Sequence, residues 1–353
     1  MPIYQNVVWR TVAAARQAPT APFMLGTCPK CGFSFNTEFD SAAIVYDERY
    51  DNSVPSATFR NHCQSVVEML LNRVDGSGGA IYDVGCGKGE FLEMFCASAP
   101  AMRGIGIDPS CQPTERANFR LIQSNLEPGL IASDARLVVL RHVLEHIADP
   151  VAFLAMIRAC MPDVPLYVEV PDLRWILKTH AFWDFCYEHC NYFEAETLAT
   201  CVRAAGFAVI DQAYSFDDQY QWVICRPAKL EEPPQAGGAQ AVAATTAYAH
   251  AEAEAIVQLQ DLANDGGLAV WGMATKGVIL STILGADCVL GGIDINPGKQ
   301  GCFAPVSGVA IHPPEWICSL QPDTTVLVMN PNYLPEIAAQ VESLGAQVRL
   351  VPV

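Results

Sequence analysis

The stretch Ile81-Tyr82-Asp83-Val84-Gly85-Cys86-Gly87-Lys88-Gly89 runs from an apolar strand into a glycine-rich turn, and a helical pattern over residues 90–97 follows it. Glycine permits a positive φ in such a turn and lets a ligand approach the backbone, because no Cβ stands in the way. The next predicted strand ends in Asp108, 23 residues after Gly85, near the spacing at which an acid accepts hydrogen bonds from ribose hydroxyls. The stretch therefore predicts a nucleotide-type cofactor site.

Short apolar runs alternate with helical stretches around this turn, which is typical of a parallel, doubly wound sheet. The strands are predicted at residues 80–84, 104–107, 137–140, 166–170, 208–210 and 222–225. A smaller run follows, with strands at 268–271, 291–295 and 325–329 and a closing helix at 335–344. The predicted fold class is α/β: a Rossmann-like domain, a second and smaller Rossmann-like α/β domain, and a short N-terminal lead-in.

Composition shifts divide the chain into four parts. Residues 1–75 form an irregular lead-in that contains a Cys-x-x-Cys pair and ends in an amphipathic helix at 56–71. Residues 76–228 form the cofactor-binding domain. A Pro-, Gly- and Ala-rich linker and a long Ala-rich helix occupy 229–265, and 266–353 form the C-terminal α/β domain.

The acidic balance of the chain limits its partners. A net charge of −17 and a pI near 4.7 disfavour binding to nucleic acid or to an anionic membrane surface, so a small molecule is the expected partner. No apolar run approaches the roughly 20 residues that span a bilayer, and the first residues do not resemble a secretory signal. We therefore expect a cytoplasmic protein whose fourteen cysteines are mostly free thiols.

The glycine turn resembles the first motif of the class I S-adenosylmethionine-dependent methyltransferases, Asp-x-Gly-x-Gly-x-Gly, over a region that covers about residues 78–226. A nicotinamide-binding turn is the alternative, but its usual spacing is Gly-x-Gly-x-x-Gly. The resemblance implies S-adenosylmethionine as the cofactor, with Asp108 at the ribose, Asn125 near the adenine and His142 near the reacting methyl group. The remaining implied cofactor residues are Asp83, Gly85, Gly87 and Gly89.

Histidines and carboxylates follow the later strands. His142 and His146 come after the fourth strand, and Tyr187-Glu188-His189 comes after the fifth. Open α/β sheets bind ligands at the carboxyl ends of their strands, and a histidine oriented by a carboxylate suits general base catalysis. An isolated Glu-His pair is more often a turn cap beside a solvated carboxylate, so the pair alone does not decide the function.

Three features together resemble the sugar C-methyltransferases of deoxysugar biosynthesis, over nearly the whole chain. The first is the Cys-x-x-Cys-Gly lead-in followed by the acidic, Tyr-rich stretch 46–53. The second is Tyr187-Glu188-His189 with Thr197-Leu198 and Ala205-Gly206-Phe207. The third is the C-terminal set Trp271-Gly272-Met273-Ala274-Thr275-Lys276-Gly277, Asp294-Ile295-Asn296-Pro297-Gly298-Lys299-Gln300-Gly301 and Pro313-Pro314-Glu315.

This resemblance implies a reaction in which a 4-keto nucleotide sugar loses the proton beside its ketone and the enolate carbon is methylated. His189 is then the base, Glu188 orients it, His146 assists at the enolate, and Tyr187 belongs to the same catalytic group. Tyr50, Lys276 and Asn296 are the implied substrate residues. Lys276 would hold a diphosphate or carboxylate, or else it is a solvated lysine at the start of a helix.

Two departures from that family qualify the expectation. Only Cys28 and Cys31 have ligand spacing in the lead-in, whereas structural zinc takes four ligands, so we expect no bound metal. Cys186 stands three residues before His189, where the sugar enzymes carry a tyrosine. Because of this second departure, the sequence does not decide which acceptor is methylated.

The sequence is therefore compatible with several functions. The leading hypothesis is an enzyme that methylates a carbon of a keto nucleotide sugar or a similar small metabolite. The alternatives are O- or N-methylation of a small natural-product precursor, a non-catalytic protein that binds the cofactor or a sugar nucleotide, and a nicotinamide oxidoreductase. The oligomeric state and the identity of the acceptor are not predicted.

Overall fold

A computed structural model describes residues 1–45, 50, 55–74, 76–161, 163–229, 238–264 and 267–353, and the following account concerns these residues. The predicted motif at 46–53 therefore lies outside the described residues, apart from Tyr50.

The lead-in contains regular structure that the sequence did not predict. Its elements are α1 (Val12–Arg16), β1 (Leu25–Thr27), β2 (Ser34–Asn36) and α2 (Ala57–Leu71). The prediction of an irregular segment was wrong for β1 and β2, because three-residue strands are too short to display an alternating pattern. The predicted amphipathic helix is confirmed: Ser56 accepts a hydrogen bond from the N–H of Phe59 at its start, and Cys63, Val66, Val67 and Leu70 are buried.

The first domain is an eight-stranded sheet flanked by helices, as a Rossmann-like fold requires. Its elements are β3 (Ala80–Val84), α3 (Glu90–Ser98), β4 (Arg103–Ile107), β5 (Thr114–Glu115), β6 (Phe119–Ile122), β7 (Ala135–Arg141), α4 (Pro150–Cys160), β8 (Leu166–Pro171), α5 (Leu173–Thr179), β9 (Asn191–Tyr192), α6 (Ala195–Ala204), β10 (Phe207–Ser215) and β11 (Tyr220–Pro227). The strand order is β10-β11-β8-β7-β3-β4-β6-β5, and β9 joins β1 and β2 in a separate sheet.

The sequence had predicted a parallel sheet, but the structure shows that two of its strands run antiparallel to their neighbours. β11 runs antiparallel between β10 and β8, and β5 runs antiparallel to β6. The reason for the first exception is the short connection at residues 216–219, since a parallel crossover needs a dozen or more residues. The strand β6 was not predicted, because its four residues lack a continuous apolar run. The other predicted strands are confirmed, with ends shifted by a few residues.

The second domain follows the long helix α7 (Gly238–Asn264), which begins inside the predicted linker. Its elements are β12 (Leu268–Trp271), α8 (Thr275–Leu284), β13 (Val289–Ile293), β14 (Ile311–His312), β15 (Thr324–Val328), α9 (Leu334–Leu344) and β16 (Val348–Pro352). The five strands are all parallel in the order β14-β13-β12-β15-β16. The fold class, two Rossmann-like α/β domains behind a lead-in, is confirmed.

The two domains and the lead-in are joined by side-chain contacts that cross between them. The carboxylate of Glu336, on α9, accepts hydrogen bonds from the Ser56 hydroxyl at 2.7 Å and from the first N–H groups of α2. Asn330 donates to the side chain of Gln219 at 2.8 Å, and Asn332 donates to the carbonyl of Phe216 at 2.9 Å. These contacts hold the second domain against the edge of the first sheet.

Two further features bear on the predictions from composition. All fourteen cysteines are free thiols, as predicted. Among the described residues, no helix combines the length and apolarity that crossing a membrane requires.

Candidate active site

A cavity of about 940 Å³ lies between the first sheet, the lead-in and the second domain. Its wall has two parts. The donor half consists of residues around the glycine turn: Asp83, Gly85, Gly87, Asp108 and Asn125. The acceptor half consists of residues from the later loops and the second domain: His146, His189, Lys276 and Lys299. A volume of this size accommodates two ligands of metabolite size.

The glycine turn has the backbone conformation that the sequence predicts. Gly85, Gly87 and Gly89 have φ values of 80°, 51° and 81°. A Cβ on Gly85 would lie only 2.2 Å from Cγ2 of Val143, so a side chain there meets both steric conflict and backbone strain. The turn therefore leaves backbone atoms open to a ligand, which fits a bound cofactor.

Two acids lie beside this turn. Asp108 accepts the N–H of Gly87 at 2.9 Å and both the N–H and the hydroxyl of Ser110, at 2.7 and 2.6 Å. Asp83 is buried, and this burial raises the pKa of its carboxyl to about 7. Asp108 thus holds the glycine turn in shape in addition to the ribose contact implied by the resemblance.

His142 also lies on the cavity wall, at the end of β7 and in a left-handed conformation with φ of 54°. Its ring nitrogens lie 3.5 Å from Glu145 and 3.2 Å from Glu169. Burial alone would lower the pKa of His142, but these two carboxylates raise it to about 9. The ring is consequently a cation at neutral pH. Glu169 is itself paired with Arg141 at 2.8 Å.

His146 and His189 meet on the acceptor half of the wall. Their rings are 4.8 Å apart and nearly perpendicular. Nδ1 of His146 lies 2.9 Å from the carbonyl oxygen of Glu188. Burial, with His146 acting in the same direction, lowers the pKa of His189 to about 3, so its imidazole is neutral at physiological pH.

Glu188 and Tyr187 contact the lead-in rather than the described wall of the cavity. One carboxylate oxygen of Glu188 accepts the N–H of Gln5 at 2.7 Å. The hydroxyl of Tyr187 accepts the N–H of Asp40 at 2.9 Å, and its ring packs against Phe39. Both residues are buried. Together they tie the segment that carries His189 to the N-terminal part of the chain.

The predicted substrate residues also fall into two groups, those that line the cavity and one that does not. Tyr50 and Lys276 line the cavity, whereas Asn296 is buried and its side chain accepts the N–H of Gly298. Lys276 pairs with Asp184 at 2.9 Å and lies 4.8 Å from the ring of Trp175. The interpretation of Lys276 as a solvated surface lysine is therefore wrong, because most of its side chain is buried in an ion pair.

Cys28 and Cys31 lie at the turn between β1 and β2, with the N–H of Gly32 donating to the Cys28 carbonyl at 2.9 Å. Within the described part of the chain, the cluster of three His, Cys, Asp or Glu side chains that could surround an ion contains neither cysteine.

The charged wall residues that the sequence did not single out include Glu145, Asp184 and Lys299. Glu145 stands between His142 and His146, but residue spacing does not reveal that its carboxylate points inward. Lys299 is buried, donates to Asn6 at 3.2 Å and lies 3.9 Å from Asp294. The sequence could have indicated Lys299, because this lysine follows Asn296-Pro297-Gly298 in the C-terminal motif.

Comparison with known proteins gives two family matches and one curated relative. Residues 57–212 match the model of a methyltransferase domain, and residues 243–351 match the model of a C-methyltransferase C-terminal domain. The chain is similar to the C-methyltransferase NovU of Streptomyces niveus, with 27% identity over 312 residues that cover 78% of this chain and 72% of the relative.

Solved structures resemble the chain more distantly. One is the complex of the Haloferax volcanii Trm112 methyltransferase activator with a putative methyltransferase, with a TM-score of 0.41, 15% identity and coverage of 49% of this chain and 92% of that chain. Another is CalO1, a methyltransferase of calicheamicin biosynthesis in its S-adenosylhomocysteine-bound form, with a TM-score of 0.36, 18% identity and coverage of 43% and 50%. These low scores add nothing to the assignment.

The two matched domains agree with the arrangement of the cavity. The first supplies the glycine turn and the acid at the end of β4, and the second closes the opposite side. S-adenosylmethionine is the cofactor that this turn fits. The matches show an S-adenosylmethionine-dependent methyltransferase, with a methyltransferase domain over residues 57–212 and a C-methyltransferase C-terminal domain over residues 243–351.

Proposed function

We propose that the enzyme methylates the carbon beside a ketone in a small acceptor, with a 4-keto nucleotide sugar as the acceptor class and His189 as the general base. The observation that carries this proposal is the pair of rings of His146 and His189, 4.8 Å apart on the wall of the cavity that also contains the glycine turn. O- or N-methylation needs little beyond proximity, whereas a carbon acid needs a base.

The protonation state of His189 supports its role as a base. With a pKa of about 3 the imidazole is neutral at pH 7, so a ring nitrogen is available to accept a proton. The C–H bond beside the ketone breaks, its electron pair forms the enolate, and the proton goes to His189. When bound, S-adenosylmethionine supplies an electron-poor methyl group for a carbon nucleophile.

The other wall residues are suited to hold the acceptor. His146 adjoins His189 and faces the same space; because its Nδ1–H donates to the carbonyl of Glu188, its Nε2 donates to the enolate oxygen only from the doubly protonated ring. Lys276 and Lys299 line the second domain's side of the cavity, each beside an aspartate, and their ammonium groups are suited to donate hydrogen bonds to a diphosphate. Glu188 supports His189 through the lead-in, since its carboxylate accepts the N–H of Gln5.

The cysteine at position 186 does not replace a catalytic tyrosine hydroxyl. Cys186 is fully buried, and its N–H and carbonyl both contact the hydroxyl of Tyr192 at 3.1 Å. The tyrosines on the described cavity wall are Tyr50, Tyr220 and Tyr333. Tyr50 is the candidate for a hydroxyl that contacts the sugar, since it also lies near Asn6.

The test combines binding with isotope exchange. Calorimetric titration with S-adenosylmethionine and S-adenosylhomocysteine measures donor binding. The protein is then incubated in deuterated buffer with S-adenosylhomocysteine and 4-keto nucleotide sugars, so that proton removal occurs without methyl transfer. Deuterium incorporation beside the ketone supports the proposal. Donor binding without exchange for any keto sugar, or methylation at oxygen or nitrogen, would overturn it.

A further inference from the structure

We propose that Glu145 is a positioning residue that stabilises the protonated form of His189, and that this role belongs to Glu145 rather than to Glu188. The inference rests on the proposed function, because it concerns the same proton transfer. Its basis is the position of a buried carboxylate between the histidines of the acceptor half.

Glu145 occupies a position that a structural carboxylate rarely has. Its residue is 1% exposed, and among the described residues neither carboxylate oxygen has a hydrogen-bond partner. A carboxylate oxygen of Glu145 and ring nitrogens of His146 and His189 all lie within 4.8 Å of one another. Burying an ion without hydrogen bonds is costly, and Nδ1 of the cationic His142, 3.5 Å from one carboxylate oxygen, offsets part of that cost.

The carboxylate is held in place by the backbone around it. The carbonyl of Glu145 accepts the N–H of Cys190 at 2.8 Å. The side chain of Asn191 donates to the carbonyls of Leu144 and Ile147, at 3.1 and 2.6 Å. The segment 144–147, which carries Glu145, and the segment that carries His189 are therefore joined by several hydrogen bonds.

The charges facing this pair keep Glu145 ionised. Burial alone would raise the pKa of Glu145, but His142, His146 and His189 lower it below its ordinary value. Lys276, on α8, acts on His189 from the second domain and lowers its pKa, as do burial, His146 and His142. Glu145 is the group that acts in the opposite direction.

Glu188 is equally buried, but it differs from Glu145 in its hydrogen bonding, in the direction of its pKa shift and in its position. Burial raises the pKa of its carboxyl, and one of its oxygens accepts the N–H of Gln5. It is absent from the described wall of the cavity, whereas Glu145 lies on it. Glu188 thus fastens the lead-in, and Glu145 faces the reacting histidine.

During the reaction His189 gains a positive charge, and Glu145 is the negative group that faces it. His189 starts neutral and becomes a cation when it takes the proton from the carbon beside the ketone. An imidazole whose pKa is about 3 is a weak base, so it removes such a proton only if its cationic form is stabilised in the transition state. The negative charge of Glu145 does this without moving, since both groups are already in place.

The test uses Glu145→Gln, which keeps the shape and removes the charge, and Glu145→Asp, which keeps the charge. For deuterium exchange we expect Glu145→Gln to lower kcat by about 10²-fold or more, while KM and the Kd for S-adenosylhomocysteine change less than about twofold. Glu145→Asp should recover a large part of kcat. Glu188→Gln should instead lower thermal stability.

Several outcomes would overturn the inference. One is an active wild type with an unchanged kcat in Glu145→Gln, or a loss that Glu145→Asp does not restore. Another is a stoichiometric divalent ion whose removal by a chelator stops exchange, since Glu145 would then act through the metal. A wild type that binds the donor but exchanges no keto sugar would instead remove the proposed function, and this inference with it.

Discussion

The donor half and the acceptor half of the cavity are built in different ways. The donor half comes from two adjacent strand ends, where Asp108 after β4 accepts the N–H of Gly87 after β3. The acceptor half joins a loop after β8, the lead-in and the second domain, through contacts such as Gln5 to Glu188 and Asp184 to Lys276. The donor half therefore depends on local backbone geometry, and the acceptor half depends on how distant segments pack.

This difference has a consequence for how the enzyme can change. A substitution in the glycine turn meets positive φ values and, at Gly85, the side chain of Val143, so few side chains are tolerated there. The acceptor half can be reshaped by small shifts of the second domain or by changes in the lead-in, which leave the donor half intact. We expect variants of the two halves to separate donor binding from catalysis.

The largest effect should come from His189→Ala. Because the variant lacks the base, methyl transfer and deuterium exchange should each fall by about 10³-fold, while donor affinity stays within about twofold. Single-turnover assays and calorimetry measure the two quantities. His180→Ala is the matched control, since His180 ends α5 and is exposed. Weaker donor binding in His189→Ala would mean that the two halves are not separable.

The opposite pattern should follow from Asp108→Ala. The variant loses the acceptor of the Gly87 N–H and of Ser110, along with the ribose contact, so the Kd for S-adenosylmethionine should rise by about 10- to 100-fold. Calorimetry measures this, with Asp163→Ala as a control at an exposed acid outside the cavity wall. An unchanged kcat for exchange at saturating donor would support the separation of donor binding from catalysis. An unchanged Kd for the donor would contradict this prediction.

The same distinction explains what the sequence could predict. The glycine turn and Asp108 each follow a strand with a clear apolar run, so the sequence predicted these strands, and the structure brings Asp108 to the N–H of Gly87. The inward direction of Glu145 depends on packing against Cys190 and Asn191, and no local pattern encodes it. The strands β1 and β2 were missed for a related reason, since they are stabilised by pairing with β9, far along the chain.

Residues that were predicted as a group also separated in space. Tyr187, Glu188 and His189 are consecutive, and the sequence assigned all three to catalysis. In the structure His189 lines the cavity, while Glu188 and Tyr187 contact the lead-in. Tyr187 and Glu188 lie in a turn, where successive side chains can face different parts of the molecule, so adjacency in the chain does not imply a shared site.

The charge on His142 should make stability depend on pH. Its pKa is about 9 in the folded protein and 6.5 in the unfolded chain, so its contribution is fully present below pH 6.5 and is lost as the pH rises through 9. Between pH 7 and 9.5 the free energy of unfolding should fall by about 2 kcal/mol more in the wild type than in His142→Gln. Urea unfolding at each pH measures the difference. Parallel curves for the two proteins would refute the prediction.

The smallest effect concerns the contact that joins the second domain to the lead-in. Glu336→Gln removes the charge that caps the first turn of α2 through Ser56, Ala57 and Thr58. The cost should be about 1 kcal/mol of stability, as for other charged helix caps. Glu342→Gln, an exposed position on the same helix, is the control and should change stability by less than about 0.5 kcal/mol.

Because α2 and α9 both border the cavity, Glu336→Gln should also raise the KM for the acceptor while donor affinity is retained. A change in donor affinity instead would place this contact with the donor half, and the separation of the two halves would fail at the point where the domains meet.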